Sequence, residues 1–368
     1  MRKQHNLVPT LGEHCVNDTK EKNMSTNLTP FAEELVTNTH GRQYWIYKDD
    51  VFYQQRIANA GPYQKKNLIR LRDLKPNART IIDVGANIGM NSIEYGTWGK
   101  TVHSFEPTPQ TFSMLERTVA LAKQQGGTAK GWYPDANSPT GFADTTVNAD
   151  IHCHQVALSS APGTSKIIIK KDNAGHNYLD NLHLPTRTGQ IRTRPTEPPT
   201  VEVELRTLDS YGFEDVDIIK VDVEGHEFDV VQGAEQTILK YLPVVQLEMV
   251  EHQPIRFNWS CQQIYDWFYE RDFVPTLSTG KPAGRLWHKF PREMERFFVH
   301  KSLLQPHQDP LSSLFEGFAE DDQEEEMDRP YWTYEAPARV PKEDARPTTT
   351  GPEQVHMNYK KKVSLEDQ

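Results

Sequence analysis

Short apolar runs rich in β-branched residues alternate with longer stretches of helical periodicity through the middle of the chain, while both ends lack any sustained apolar period. The clearest unit runs RTIIDVGANIGMNSIEYG from Arg79. Ile81, Ile82 and Val84 read as a buried parallel strand, Gly85 and Gly89 bracket a tight turn, and a helix carries the chain away. TVHSFE is the next strand and ends at Glu106. TPQTFSMLERTVALAKQQ then reads as a helix, with Thr108 as its cap and Pro109 in the first turn. IHCHQVAL reads as a third strand, IIIKK as the next, and TVEVEL alternates like a half-exposed one. Ile218, Ile219, Val221 and Val223 make a strand covered on both faces, HEFDVVQGAEQTILK the helix after it, and VVQLE the strand that ends at Glu248. SCQQIYDWFYERD is a helix capped by Ser260 with Ile264, Trp267 and Phe268 on its apolar face, and FVPTLSTG and ERFFVHK form a closing antiparallel pair. Upstream, Leu68, Leu71 and Leu74 recur at every third position. They predict an amphipathic helix after a break at Gly61-Pro62-Tyr63, in a leader that packs on the sheet or closes over a cofactor. Strands alternating with helices predict one α/β domain.

Two places in this pattern carry chemistry. Asp83 lies inside the first apolar strand, where an unpaired charge is costly. The strand, glycine turn and helix around it are a nucleotide-binding layout, but the pattern G-x-x-x-G puts Asn87 where a dinucleotide's pyrophosphate needs a glycine. A side chain there favours an adenosine-type ligand without phosphate. Glu106, one βαβ step further on, is placed to accept from both ribose hydroxyls, and the pair reads as a site for S-adenosylmethionine. Read structurally, the same features are a connecting turn and a solvated strand end. In the second place, Lys220, Asp222 and Glu224 alternate along one strand and Glu248 ends the next, so the carboxylates crowd one rim of the sheet. Mutual ion pairing, a general base of raised pKa and a divalent-ion site all fit that rim. No ligand spacing is firm enough to assign a metal.

Composition narrows the picture. Residues 1–40 and 305–368 read as tails, the latter with the acidic run EDDQEEEMD and many prolines, leaving 41–304 as the domain. The net charge of −10 opposes non-specific binding to nucleic acid or an anionic membrane surface. Cys15, Cys153 and Cys261 are too scattered for a disulfide frame or a zinc knuckle. With neither the apolar core of a signal peptide nor an 18-residue apolar run, the expectation is a soluble, cytoplasmic protein, in which sequons at Asn17, Asn27 and Asn258 mean little. Residues 126–150 and 172–200 read as long loops of the kind that select substrates. Lys281, Arg285, Lys289, Arg292 and Arg296 surround Trp287 in a basic hairpin that suits a phosphate, a sugar or a base, and equally a solvated tip.

Taken in order, IIDVGANIGMNS, FEPTP, VALS, LRTLDS and IIKVDVEGHEFDVVQGA resemble the FkbM-type methyltransferases over roughly residues 42–303. The resemblance implies a Rossmann-like class I fold, with a mostly parallel seven-stranded sheet and S-adenosylmethionine as donor. It places Asp83, Gly85, Ala86, Asn87, Gly89, Glu106 and Pro107 on the cofactor loop and ribose position, and Gln155 and Ala157 at the adenine edge. Lys220, Asp222, Glu224 and Glu227 fall on the family signature. The implied activity is O-methylation of a hydroxyl on a sugar, glycan or small metabolite. Asp222 or Glu224 would act as base, with Lys220 orienting the carboxylates and Glu248 and Glu227 as second choices. Two other readings are a methyltransferase on a nucleic-acid or nucleotide-linked acceptor, and a non-catalytic binding protein that keeps the fold.

Overall fold

The computed structural model of the chain describes residues 31–59, 62–126, 131–133, 145–170, 174–180, 199–250, 257–280, 283–284 and 294–304. Most of the N-terminal tail, the whole of 305–368, most of the two long loops and the basic residues of the hairpin apart from Arg296 lie outside these residues.

Packing begins before the expected boundary at residue 41. Strand β1 (Glu33–Thr37) pairs antiparallel with β2 (Gln43–Tyr47), and helices α1 (Val51–Asn59) and α2 (Lys65–Leu74) follow. Sequence periodicity missed β1 because its five residues present no continuous apolar face, only half-buried positions between exposed ones. Polar contacts from further down the chain hold this hairpin. The Trp45 N–H donates to Thr118 Oγ1 (3.1 Å), Tyr47 Oη and Thr111 Oγ1 share a hydrogen bond (2.9 Å), and Arg42 pairs with Glu94 (3.8 Å), both buried. On α2, Leu68 and Leu71 are buried and Leu74 packs against the same core, as the three-residue spacing predicts.

The remaining elements in order are β3 (Thr80–Val84), α3 (Met90–Tyr95), β4 (Thr101–Phe105), α4 (Pro109–Gln124), β5 (Asp150–His154), β6 (Ala157–Leu158), β7 (Gly163–Ile168), β8 (Tyr178–Leu179), β9 (Thr200–Arg206), β10 (Val216–Val221), α5 (Glu227–Gln232), α6 (Glu235–Tyr241), β11 (Val244–Glu248), α7 (Cys261–Tyr269), β12 (Phe273–Thr276) and β13 (Glu295–His300). Seven strands form one sheet in the order β12-β13-β11-β10-β3-β4-β5, parallel except for β13, which runs against both neighbours. That is a doubly wound, mostly parallel sheet of the kind the resemblance implies, with β12 and β13 as the closing antiparallel pair. From β3 the chain steps outward to β4 and β5 on one side, then to β10 and β11 on the other, so the sheet has its switch point between β3 and β10.

Strand alternation divides the core. Ile81, Ile218 and Val244 pack with α2, α3 and α4 on one face, while their neighbours Ile82, Ile219 and Val245 pack with α5, α6 and α7 on the other. Ser260 caps α7 in a full capping box with Gln263, and Ile264, Trp267 and Phe268 are buried beneath it.

Three local expectations change. IHCHQVAL is two strands, because the Val156 N–H turns back to the His154 carbonyl (3.1 Å) and sends Ala157 into a second sheet. That sheet, in the order β6-β9-β7-β8, takes up IIIKK and TVEVEL and encloses a small core of its own around Ile167, Val201 and Val203. Thr108 stands at the N-cap of α4 without a side-chain capping bond, since Glu106 beside it engages that hydroxyl.

Candidate active site

At the carboxyl ends of β3, β4, β10 and β11 lies a cleft of about 260 Å³. Its first wall is the turn after β3. Gly85 and Gly89 sit at positive φ (75° and 89°), and so does Asn87 (50°), whose Oδ1 accepts from the Ile88 N–H (2.8 Å). The Gly85 and Ala86 N–H groups donate to the Phe105 carbonyl, which pins the turn to the end of β4. Gly85 cannot be replaced without moving the chain, because a Cβ there would lie 1.9 Å from the Asp222 carbonyl oxygen.

Asp83 stands behind this turn and off the cleft wall. It is fully buried, accepts from Ser92 Oγ (2.6 Å) and faces Lys220 Nζ (3.5 Å). Burial raises its pKa, against the pull of Lys220 and Ser92. Burial likewise works against the Lys220 ammonium, but Asp222 (3.4 Å) and Asp83 more than offset it, so the lysine is held charged above its ordinary value. The face of the sheet that is apolar at Ile81, Ile218 and Val244 thus carries titratable groups at Asp83, Lys220 and Glu248, where the strands end.

Glu106, Pro107 and Ala157 line the cleft, joined by Val156 and Leu158. Gln155 does not: it is exposed at the bend between β5 and β6. One oxygen of Glu106 accepts from the Thr108 N–H (2.8 Å), and burial pushes its pKa up to about 7.

The opposite wall carries Lys220, Asp222, Glu224 and Glu248. Carboxylate oxygens of Asp222, Glu224 and Glu248 lie within 4.8 Å of one another, a spacing at which like charges are relieved by a proton or a shared cation. Glu224 takes a left-handed conformation (φ 59°) in the turn after β10. Glu227 is not on this wall. Its Oε1 accepts from the Val223 and Gly225 N–H groups (3.1 and 3.0 Å), so it braces the turn that presents Asp222 and Glu224. Burial, then Asp222 and Glu224, pushes Glu248 up to about 10. Across the antiparallel register from Glu248 stands Glu295, pushed up to about 8 by burial and Asp222.

Sequence reasoning passed over Glu295, and it gave the leader a place on the sheet or over a cofactor without naming the residues that line the cleft. Phe52, Tyr53, Arg56 and Tyr63 line the cleft from α1 and the segment before α2, and Gly175–Leu179 lines it from the second sheet. Only the break at Gly61-Pro62-Tyr63 signalled the leader's part. Arg296, placed by sequence in the basic hairpin, is buried and donates to Tyr265 Oη (2.5 Å).

The raised carboxyls predict an unusual stability profile. A carboxyl whose pKa is raised on folding contributes stability that is full below its unfolded value and lost as pH climbs through the folded one. For Glu248 and Glu295 that window runs from 4.5 up to about 10 and about 8. His103 and His154, both lowered to about 4 with burial as the first cause, act oppositely below 6.5. The thermal midpoint of the ligand-free protein is therefore expected to decline from about pH 6.5, where the histidines no longer compensate, toward pH 9. A midpoint that rises between pH 7 and 9 in differential scanning fluorimetry contradicts this.

The family model described as Methyltransferase FkbM domain matches residues 83–275, more than half of the chain. The chain belongs to the FkbM methyltransferase family. Among curated proteins, it is 25% identical over 178 residues to Methyltransferase 1 of Beauveria bassiana, covering 44% of this chain and 60% of that one. It is 25% identical over 205 residues to Methyltransferase sdnD of Sordaria araneosa, covering 49% and 70%. The chain thus spans under two thirds of the length of the first of these relatives. Among solved structures, the methyltransferase FkbM of Methylobacillus flagellatus KT is similar over 61% of this chain and 44% of its own, at 13% identity and a TM-score of 0.33. The FkbM match begins at Asp83 and ends within β12, so it spans the turn after β3 and the carboxylate wall. Among the described residues, no helix is long and apolar enough to cross a membrane.

Proposed function

We propose that this FkbM protein transfers a methyl group from S-adenosylmethionine to a hydroxyl of a sugar, glycan or small metabolite. The observation that carries the reading is a single cleft with Glu106 at the end of β4 on one side and Asp222, Glu224 and Glu248 on the other. The residues present fit the donor. In this reading Glu106 would take the ribose hydroxyls, Val156–Leu158 the adenine, and the turn from Gly85 to Asn87 the middle of the molecule, and all of them line the cleft. The donor's sulfonium supplies a methyl group that is already activated. The chain's own tasks are to align the acceptor oxygen, worth ~7–11 kcal/mol at best, and to take its proton, typically a further ~10²–10⁴-fold. Asp222, oriented by Lys220, and Glu224 are the candidates for the proton. Glu248, with its pKa pushed up to about 10, keeps its own at neutral pH and offers a hydrogen bond instead.

Tritiated donor incubated with the protein and fractionated cell extract tests the reading. Label should enter carbohydrate or small metabolites and survive mild base, as a methyl ether does. Label confined to RNA or protein, or none at all, overturns it.

The donor side has its own test. Glu106→Ala should weaken S-adenosylhomocysteine binding by ~1.5–3 kcal/mol, the worth of hydrogen bonds to a charged acceptor. In the unaltered protein, affinity should fall as pH drops through about 7, where Glu106 takes up a proton. Unchanged affinity of Glu106→Ala in calorimetry removes Glu106 from the ribose position.

A further inference from the structure

Four polar side chains from distant parts of the sequence form a continuous hydrogen-bonded series beside the cleft. Asn91 Nδ2 donates to Gln64 Oε1 (3.1 Å), Gln64 Nε2 donates to Glu295 Oε1 (3.0 Å), and Gln246 Nε2 donates to Glu295 Oε2 (2.8 Å). In its ionised form Glu295 sets the direction of the series. Its two oxygens take the NH₂ groups of both glutamines, so Gln64 has only its oxygen left for Asn91. Asn91 must then spend its own NH₂ on Gln64. As a result, Asn91 Oδ1 has no hydrogen-bond partner among the described residues, although Asn91 is only 5% exposed and lies on the cleft wall. Buried acceptors are normally satisfied, and one left open on a cleft wall is a place for a ligand's N–H or O–H.

The position of this atom says which ligand group belongs there. With Glu106 at the end of β4 and Val156–Leu158 beyond it, the nucleoside half of the donor lies on the β4 side of the switch point. The amino-acid half then runs the other way across the turn after β3, toward the first residues of α3 and the leader. Asn91 stands there, in the first turn of α3, joined through Gln64 to a carboxyl group. Resting on the reading of the cleft as a donor site, we propose that Asn91 Oδ1, held in place by Gln64 and Glu295, receives the α-ammonium group at the methionine end of the donor. An ammonium donates N–H bonds and carries the positive charge that a site rich in carboxyl groups favours. Gln64 comes from the leader, immediately before α2, so the leader is part of the donor site.

Calorimetry with three ligands tests this: S-adenosylhomocysteine, its deaminated analogue with hydrogen in place of the amino group, and 5′-methylthioadenosine, which lacks the whole amino-acid end. The unaltered protein should bind the deaminated analogue about tenfold or more weakly than S-adenosylhomocysteine. Asn91→Leu should lose a similar factor for S-adenosylhomocysteine and bind the deaminated analogue and methylthioadenosine as before. Gln64→Leu should show the same selective loss, because Asn91 is then free to turn. If the unaltered protein binds the first two ligands equally, the proposal is wrong, and that comparison stands even where a variant fails to fold. Equal losses of all three ligands in a folded Asn91→Leu, or no loss, also overturn it. Failure of the unaltered protein to bind S-adenosylhomocysteine at all instead removes the donor reading, and this inference with it.

Discussion

Asp222→Asn and Glu224→Gln are expected to yield folded protein that binds the donor normally, with at least one of the two turning over ~10²–10⁴-fold more slowly, the usual worth of a positioned base. The amide keeps the size and shape of the carboxyl group, so the turn braced by Glu227 has no reason to move. What it loses is the capacity to accept a proton. An unchanged Kd for S-adenosylhomocysteine with a lowered kcat is the signature of a group that acts only in the transition state. Two other outcomes are distinguishable. A purely structural rim predicts lowered stability with activity per folded molecule retained. A cation shared by Asp222, Glu224 and Glu248 predicts that chelation abolishes turnover and that added magnesium or manganese restores it. If both amides turn over at the original rate, neither residue is the base.

Lys220→Met is expected to cost about 3–5 kcal/mol of stability, the usual penalty for breaking a buried ion pair from one side. For a domain of this size that lowers Tm by roughly 6–20 °C. Lys220 is 3% exposed and is the cation between Asp83, fully buried, and Asp222, partly so. Removing it strands Asp83 Oδ1, which has no hydrogen bond among the described residues and depends on the ion pair. Adding Asp83→Asn should recover a large part of the loss, because the neutral amide can still accept from Ser92 and needs no counter-charge. Thermal melts of the two single variants and the double variant give the coupling directly. If Lys220→Met costs under about 1 kcal/mol, well short of the usual penalty, the lysine does not hold this strand end.

The legible parts of the molecule share one property: each is written within a few residues. The apolar run at Ile81–Val84 and the turn at Gly85–Gly89 announce a strand and a turn by composition alone and lie where the periodicity puts them, while the strand read through Val223 ends at Val221. Because parallel strands point the same way, Glu106, Asp222 and Glu248 at their ends had to gather on one edge of the sheet. The tertiary structure decided what crosses that edge. Glu295 and Gln64 sit in segments with no motif, and they meet Asn91 because β13 returns antiparallel beside β11 while the leader folds back over α3. IIIKK and TVEVEL read as strands correctly, but alternation cannot say which sheet a strand joins, and these two built a separate one. The roles of individual acids were also beyond local reading. Asp83 and Glu227 look like site residues in the chain, yet they serve as buried braces, since whether a carboxyl group faces a cleft or a backbone N–H depends on packing between elements that the sequence keeps apart.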